Sequence, residues 1–199
     1  MNLLREPLGR KQQMTDRMCD PDAETRPAGA QAPPSTLDTS IEFSLNGEKQ
    51  HRRIDSSAVL LDVLRDDFGC RGVRRSCERG VCGACTVLVD DVPVASCSTF
   101  AFAVDGAAVE TVEGLTAADG TLSPQQRAFA ECGGYQCGFC TSGMLMLTTG
   151  LLRREPRPDR GTIREWISSN TCRCTGYEMI LESVERAAEL TAAQEGDRE

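Results

Sequence analysis

The sequence predicts an α+β fold in two parts. Three observations carry this reading: apolar residues alternate with polar ones in stretches between Ile41 and Val112, apolar residues recur at helical spacing with cap signals after Ser123, and the pattern changes near Gly114-Leu115. Alternation with period two marks half-buried strands, whereas apolar residues three and four apart line one face of a helix.

Residues 1–38 are rich in Asp, Arg, Gln, Pro and Ala, hold no sustained apolar stretch, and are expected to form a disordered extension. Ile41-Glu42-Phe43-Ser44-Leu45 then reads as a strand. Asn46-Gly47 suits the two left-handed positions of a type I′ turn, so a polar return strand follows to Ile54. Leu60, Leu61, Val63 and Leu64 have helical spacing, with Ser56 or Ser57 as the N-cap and Gly69 as the stop. Residues 70–85 are mostly Gly, Arg and Cys and show neither period, so they form a loop held by something other than an apolar core. Thr86–Val89 and Val92–Val94 make a second hairpin around Asp90-Asp91, and Val109–Val112 adds a last strand.

The second part is helical. Ser123-Pro124-Gln125-Gln126 combines a Ser cap, Pro at the first helical position and Gln three residues after the cap, a capping box. Thr141 is placed to cap a helix through Met144 to Arg153, and Thr162 with Glu165 repeats the capping-box pattern before Trp166. From Met179, the residues Ile180, Val184 and Ala188 share one face of a last helix. Met144, Leu145, Met146, Leu147, Leu151 and Leu152 are expected to be core, with any surplus facing a partner. The expected boundaries are an extension at 1–38, a strand-bearing domain at 39–115, a helical domain at 116–192 and a tail at 193–199.

The 11 cysteines carry the chemistry. An odd number cannot all pair within one chain. No apolar export signal stands in the first residues, so an intracellular, thiol-reducing setting is expected and metal ligation is favoured over disulfides. Cys77, Cys82, Cys85 and the more distant Cys97 form C-x4-C-x2-C…C, the spacing of plant-type 2Fe-2S ferredoxins. Each iron of such a cluster takes two thiolates besides the bridging sulfides. Gly80 and Gly83 let backbone N–H groups approach the sulfurs where a Cβ would clash. Zinc is the competing reading, but zinc sites favour two C-x2–4-C knuckles, and here C-x2-C occurs once within three close cysteines.

Cys137-Gly-Phe-Cys140 and Cys172-Arg-Cys174 form a second set, each pair placed before a helix, where the helix N-terminus lowers a thiol pKa and favours an anionic cluster. Cys-x-Cys is awkward for a disulfide within one chain and workable for two ligands. Cys19, Cys70 and Cys132 are left as inert thiols. His51 is the sole histidine, which excludes a Rieske cluster, since that needs two. With 22 Lys+Arg against 30 Asp+Glu and a net charge of −8, nucleic acid is not an expected partner; Arg71, Arg74, Arg75 and Arg79 read as a solvated face or as compensation for an anionic cluster. No apolar run is long enough to span a membrane.

The motifs CERGVCGACTVLVD from Cys77, TVEGL from Thr111, GYQCGFCTSGM from Gly134 and CRCTGY from Cys172 together resemble the small iron–sulfur subunit of the xanthine oxidase, or molybdenum hydroxylase, family, which includes aerobic carbon monoxide dehydrogenase, isoquinoline oxidoreductase and nicotine dehydrogenase. The resemblance spans about residues 41–190. It implies a β-grasp ferredoxin domain followed by a four-helix bundle, with one 2Fe-2S cluster on Cys77, Cys82, Cys85 and Cys97 and another on Cys137, Cys140, Cys172 and Cys174. It further implies a cytoplasmic complex, a heterotrimer or a dimer of heterotrimers, with a large molybdenum-binding subunit carrying molybdopterin, as its cytosine dinucleotide, and a medium FAD-binding subunit. Gln136 and Cys174 would then contact the partner's pterin. Ser76 and Asp91 replace glycines of the family pattern, and Ser142 replaces a proline. The rival expectation is a freestanding 2Fe-2S redox or iron sensor.

Overall fold

In the computed structural model the described residues, 37–196, all belong to one compact unit. The expected extension at 1–38, Cys19 included, lies outside them but for its last two positions. Strands β1 (Asp38–Leu45), β2 (Glu48–Asp55), β3 (Thr86–Val89), β4 (Val92–Ala95) and β5 (Ala108–Glu110) form a mixed sheet in the order β2-β1-β5-β3-β4. Only the β1–β5 pair is parallel. Both hairpins turn where expected: Leu45 pairs with Glu48 across Asn46-Gly47, and Val89 with Val92 across Asp90-Asp91. All four turn residues have positive φ, the requirement of a type I′ turn. Asp91, at φ +66, takes a conformation that Gly adopts freely; Arg153 braces it by donating to its carboxylate at 2.5 Å.

Ile41, Phe43 and Leu45 point to one face, as period two demands, and pack on Leu60, Leu61, Val63 and Leu64. The helix there is short. Helix α1 (Leu60–Asp62) widens at once into a π turn at Val63–Asp67. Neither serine caps it: the N-cap residue is Val59, and Ser57 instead donates both its N–H and its hydroxyl to the Asp55 carboxylate. Gly69 does end it, at φ +70, with the Cys70 N–H closing on the Leu64 carbonyl.

The helical half comprises α2 (Pro124–Cys132), α3 (Thr141–Arg154), α4 (Arg160–Ile167) and α5 (Glu178–Gly196). The Ser123 capping box forms in full with Gln126. The other two expected caps are displaced. Cys140, not Thr141, occupies the N-cap of α3, and α4 starts earlier than the Thr162 pattern implied, with Asp159 accepting from the Thr162 N–H.

Helix α3 is buried on every side from Gly143 to Leu152. One face meets Phe129, Ile163, Ile167, Ile180 and Val184 of the other helices. The opposite face lies on the sheet, where a Cβ on Gly150 would stand 2.8 Å from the Pro93 ring and 3.1 Å from Leu88. The expected apolar surplus for a partner is therefore consumed by the chain's own β3–β4 hairpin. Arg153, at the end of α3, adds a bidentate pair to Glu110. No helix among the described residues is long and apolar enough to cross a membrane.

Candidate metal centres

The loop after Gly69 gives Cys70, Val73 and Cys85 to the core, at spacings with neither period, and its other side chains are spent on charge pairs and sulfur. Arg75 is spent on Asp62, Asp66 and Glu78, a solvated network. Beyond it the backbone bends around Cys77. The N–H groups of Arg79 and Cys82 point at the Cys77 Sγ, each at 3.4 Å, and the Gly80 N–H points at the Cys97 Sγ at 3.3 Å. Cys97 reaches the loop from a short 3₁₀ turn (Ser96–Ser98) after β4. Gly80, at φ +70, admits this approach, since a Cβ there would lie 2.8 Å from the Ser98 Oγ.

Hydrogen bonds to a sulfur favour its thiolate. The N–H groups of Cys82, Arg79 and Val81 bring the Cys77 thiol down to about 6. Burial acts the other way on Cys97 and raises it to about 11, helped by the neighbouring Cys85 and Cys77. Cys77, Cys82, Cys85 and Cys97 thus form one mutually interacting set, in which Cys77 and Cys97 receive backbone N–H groups and Cys85 is buried.

The second set assembles from two loops. Cys137 and Cys174 are exposed, with their sulfurs 3.6 Å apart, while Cys140 is buried and interacts with Cys172. Position at a helix N-terminus does not lower Cys140, as the sequence led us to expect: burial, with Cys172 beside it, pushes its thiol up to about 12. The Phe139 N–H and the Cys174 thiol lower Cys137, and the same contact with Cys137 raises Cys174. At Cys172 burial is the largest influence and raises the thiol. The Thr175 hydroxyl and the N–H groups of Thr175 and Cys174 outweigh it, leaving the thiol lowered.

Tyr177 organises the Cys-x-Cys loop. Its hydroxyl accepts from the Cys172 N–H at 2.9 Å and donates to the Asn170 carbonyl at 3.1 Å. It does so from φ +73, a conformation costly for an aromatic residue that the surrounding contacts must maintain. Asn170 is almost fully buried, at 2% exposure, where the two halves meet. The space beside Gly83 expected for a sulfur is instead filled by the Asn170 amide, and the Thr171 N–H donates to the Cys82 carbonyl at 2.9 Å. The sequence offered Asn170, Thr171 and Tyr177 as neighbours of the Cys-x-Cys pair, but nothing in it marked them as joining the two halves.

The remaining candidates divide clearly. Gln136 is exposed beside Cys137, with Tyr135 and Phe139 also exposed at 47% and 46%. Cys70 is buried, with its thiol raised by burial, and Cys132 is half-buried on α2; neither enters a set. His51 is exposed on β2. Among the described residues, no three His, Cys, Asp or Glu side chains are gathered tightly enough to hold one metal ion. The two looser fours fit what a two-iron cluster needs: two thiolates for each iron around a sulfide-bridged centre, with N–H groups aimed at the sulfurs.

Two four-cysteine sets, one beside a mixed sheet and one among helices, define a chain of the two-cluster iron–sulfur class. Family models agree: residues 43–112 match a 2Fe-2S iron-sulfur cluster binding domain, and residues 111–185 match a 2Fe-2S binding domain. The nicotine 6-hydroxylase small subunit of Paenarthrobacter nicotinovorans is 46% identical over 144 residues, 72% of this chain and 86% of that protein. Caffeine dehydrogenase subunit gamma of Pseudomonas sp. (strain CBB1) is 42% identical over 154 residues, 76% of this chain and 92% of that one. A chain of the crystal structure of quinoline 2-oxidoreductase from Pseudomonas putida 86 superposes with a TM-score of 0.75 at 39% identity, covering 81% of this chain and 99% of its own. The chain belongs to the small iron–sulfur subunits of the xanthine oxidase, or molybdenum hydroxylase, family, and its role is electron transfer within an oxidoreductase.

Proposed function

We propose that this chain relays electrons from a molybdopterin centre on a large partner subunit to FAD on a medium subunit, or to another acceptor, in a cytoplasmic heterotrimer or dimer of heterotrimers. The observation that supports this best is the gathering of eight cysteines from distant positions into two sets of four. On this reading Cys77, Cys82, Cys85 and Cys97 hold one 2Fe-2S cluster in a β-grasp ferredoxin domain, and Cys137, Cys140, Cys172 and Cys174 hold the other in a four-helix bundle. When bound, each cluster takes up and gives back one electron. The domains would divide near residue 115, as the change of pattern suggests.

The chain's own groups do the rest. The N–H groups around Cys77 and Cys97 stabilise sulfur-borne negative charge without a side-chain cation. Burial of Cys85 and Cys140 keeps water from one side of each set. Cys137 and Cys174 open the helical set to the surface beside Gln136, Tyr135, Phe139 and Met179, which makes this the docking face for the molybdenum subunit. There Gln136 would donate to the pterin, and the Cys174 sulfur would be the nearest point of entry. A freestanding sensor is not favoured, because the relatives are subunits of enzyme complexes.

Iron and sulfide analysis with electron paramagnetic resonance (EPR) on the purified complex tests the assignment. We expect about four irons and four sulfides per chain, because each 2Fe-2S cluster contributes two of each, and two distinguishable reduced-state signals. Cys77→Ser should remove one signal and Cys172→Ser the other, with Cys70→Ser and Cys132→Ser removing neither. Zinc in place of iron, or one signal lost in both ligand variants, would overturn it.

A further inference from the structure

The two cysteine sets come from different halves of the chain, yet one hydrogen bond connects their backbones. The Thr171 N–H, adjacent to Cys172, donates to the carbonyl of Cys82 at 2.9 Å. From the Cys172 sulfur to the Cys82 sulfur, every other link in that path is a covalent bond. Three features press the two loops together at this point. Asn170, at 2% exposure, lies against the Gly83 Cα so closely that a Cβ there would fall 1.3 Å from its Oδ1. The same Oδ1 stands 3.3 Å from the Thr86 Oγ1, whose hydroxyl lies 2.7 Å from the Gly83 carbonyl, so the Gly83–Thr86 turn packs against the amide of the helical half. On the third side is Gly143 of α3, where a Cβ would lie 2.2 Å from the Gly83 carbonyl oxygen and 2.8 Å from the Asn170 Nδ2. Two glycines, one from each half, thus leave just enough room for one buried amide.

Such an arrangement is costly. A buried amide that leaves its Nδ2 without a partner sacrifices stability, and an apolar side chain would fill the site at less expense. The amide instead reaches from its own loop to the Thr86 hydroxyl of the other, while the glycines bring the backbones within hydrogen-bonding distance.

We propose that Asn170 is a positioning residue: it clasps the Gly83–Thr86 turn against the Cys-x-Cys loop and so holds closed the Cys172–Thr171–Cys82 path by which an electron crosses between the two sets. This rests on the ligand assignments made under Proposed function. Electronic coupling falls steeply with separation and is carried better by bonds than by gaps, so a shift of a fraction of an ångström at this contact changes the rate of crossing without touching a ligand.

The test uses the assembled, cluster-loaded complex with Asn170→Ala and, independently, Gly143→Ala, whose new methyl would wedge the Gly83 carbonyl away. Iron content and the number of reduced-state signals check the ligand assignments on their own: their failure in the unaltered protein would defeat the Proposed function and not this inference alone. The clasp is read by two other measurements. One is the magnetic splitting between the two reduced clusters in low-temperature EPR. The other is the rate at which one electron, introduced by flash photoreduction with a deazaflavin donor, redistributes between the two signals. We expect both variants to keep both clusters and their separate midpoint potentials, to show a smaller splitting, and to redistribute the electron several-fold more slowly. If redistribution and splitting stay at wild-type values in both variants, the path does not run through this contact. Loss of a cluster in both variants also overturns the proposal, because the contact would then be holding ligands in place rather than joining the sets.

Discussion

Removing one oxygen from Tyr177 should loosen the helical cysteine set and spare the other. The Tyr177 hydroxyl satisfies two backbone groups, accepting from the Cys172 N–H at 2.9 Å and donating to the Asn170 carbonyl at 3.1 Å. In Tyr177→Phe the ring and its positive φ remain, so the loss is confined to these two bonds. A fully buried polar group left without a partner costs about 1–3 kcal/mol; both groups here are part-buried, which places each at the low end and the pair at about 2 kcal/mol. Because 1.4 kcal/mol is a factor of ten, the local opening equilibrium of the Cys-x-Cys loop should rise by about 30-fold. The assay is capture of released iron by a strong chelator, with EPR identifying which cluster decays. Where opening precedes release, the helical cluster should be lost about 30-fold faster and the other at its wild-type rate. A helical-cluster rate indistinguishable from wild type refutes the reasoning, as does equal acceleration of both.

Three further outcomes follow from the fold. Ser123→Ala removes half of the α2 capping box and should cost about 1 kcal/mol, lowering Tm by about 2–4 °C in a thermal scan. Gly150→Ala gains about 1 kcal/mol of helix propensity but drives a methyl to 2.8 Å from the Pro93 ring, an overpacking cost of about 1–3 kcal/mol, so denaturant unfolding should show net destabilisation. Asp159 caps α4 and its carboxyl is lowered below 3.8, chiefly by the Thr162 N–H. A lowered folded-state value means that stabilisation is complete above the unfolded value and lost as pH falls through the folded one. Asp159→Asn, which keeps the acceptor, should therefore flatten the stability loss below pH 3.8 and leave neutral-pH stability nearly unchanged.

The parts of the fold that were legible in the sequence are those whose causes lie within a few residues. Asn46-Gly47 and Asp90-Asp91 specify their turns because two successive left-handed residues permit little else. Ser123 and Gln126 satisfy each other's backbone, so the start of α2 needs no information from elsewhere. The missed caps show the limit. Ser57 had a nearer acceptor in Asp55, and the Thr141 hydroxyl is buried without a partner beside Cys140, which took the capping position. At the site, the glycine expected to admit a sulfur near residue 83 admits an amide from the other half, a contact whose partners lie far apart in the sequence.

What the sequence determined by itself was the donor chemistry. Cys77, Cys82 and Cys85 are close enough in the chain that their loop must gather them, and Cys137 with Cys140, like Cys172 with Cys174, are paired by spacing alone. How deep each sulfur lies and how the sets communicate were decided only in three dimensions. Burial raises Cys140 where a helix N-terminus on its own would lower it, because desolvation of a thiolate depends on everything packed around it. The apolar faces of α3 could be counted in the sequence, but not what they cover. Packing against the sheet on one side and three helices on the other satisfies them within the chain, and the same packing brings Gly143 and Asn170 onto Gly83. Local patterns encode which groups are available; long-range packing sets their separation, and electron transfer depends on separation.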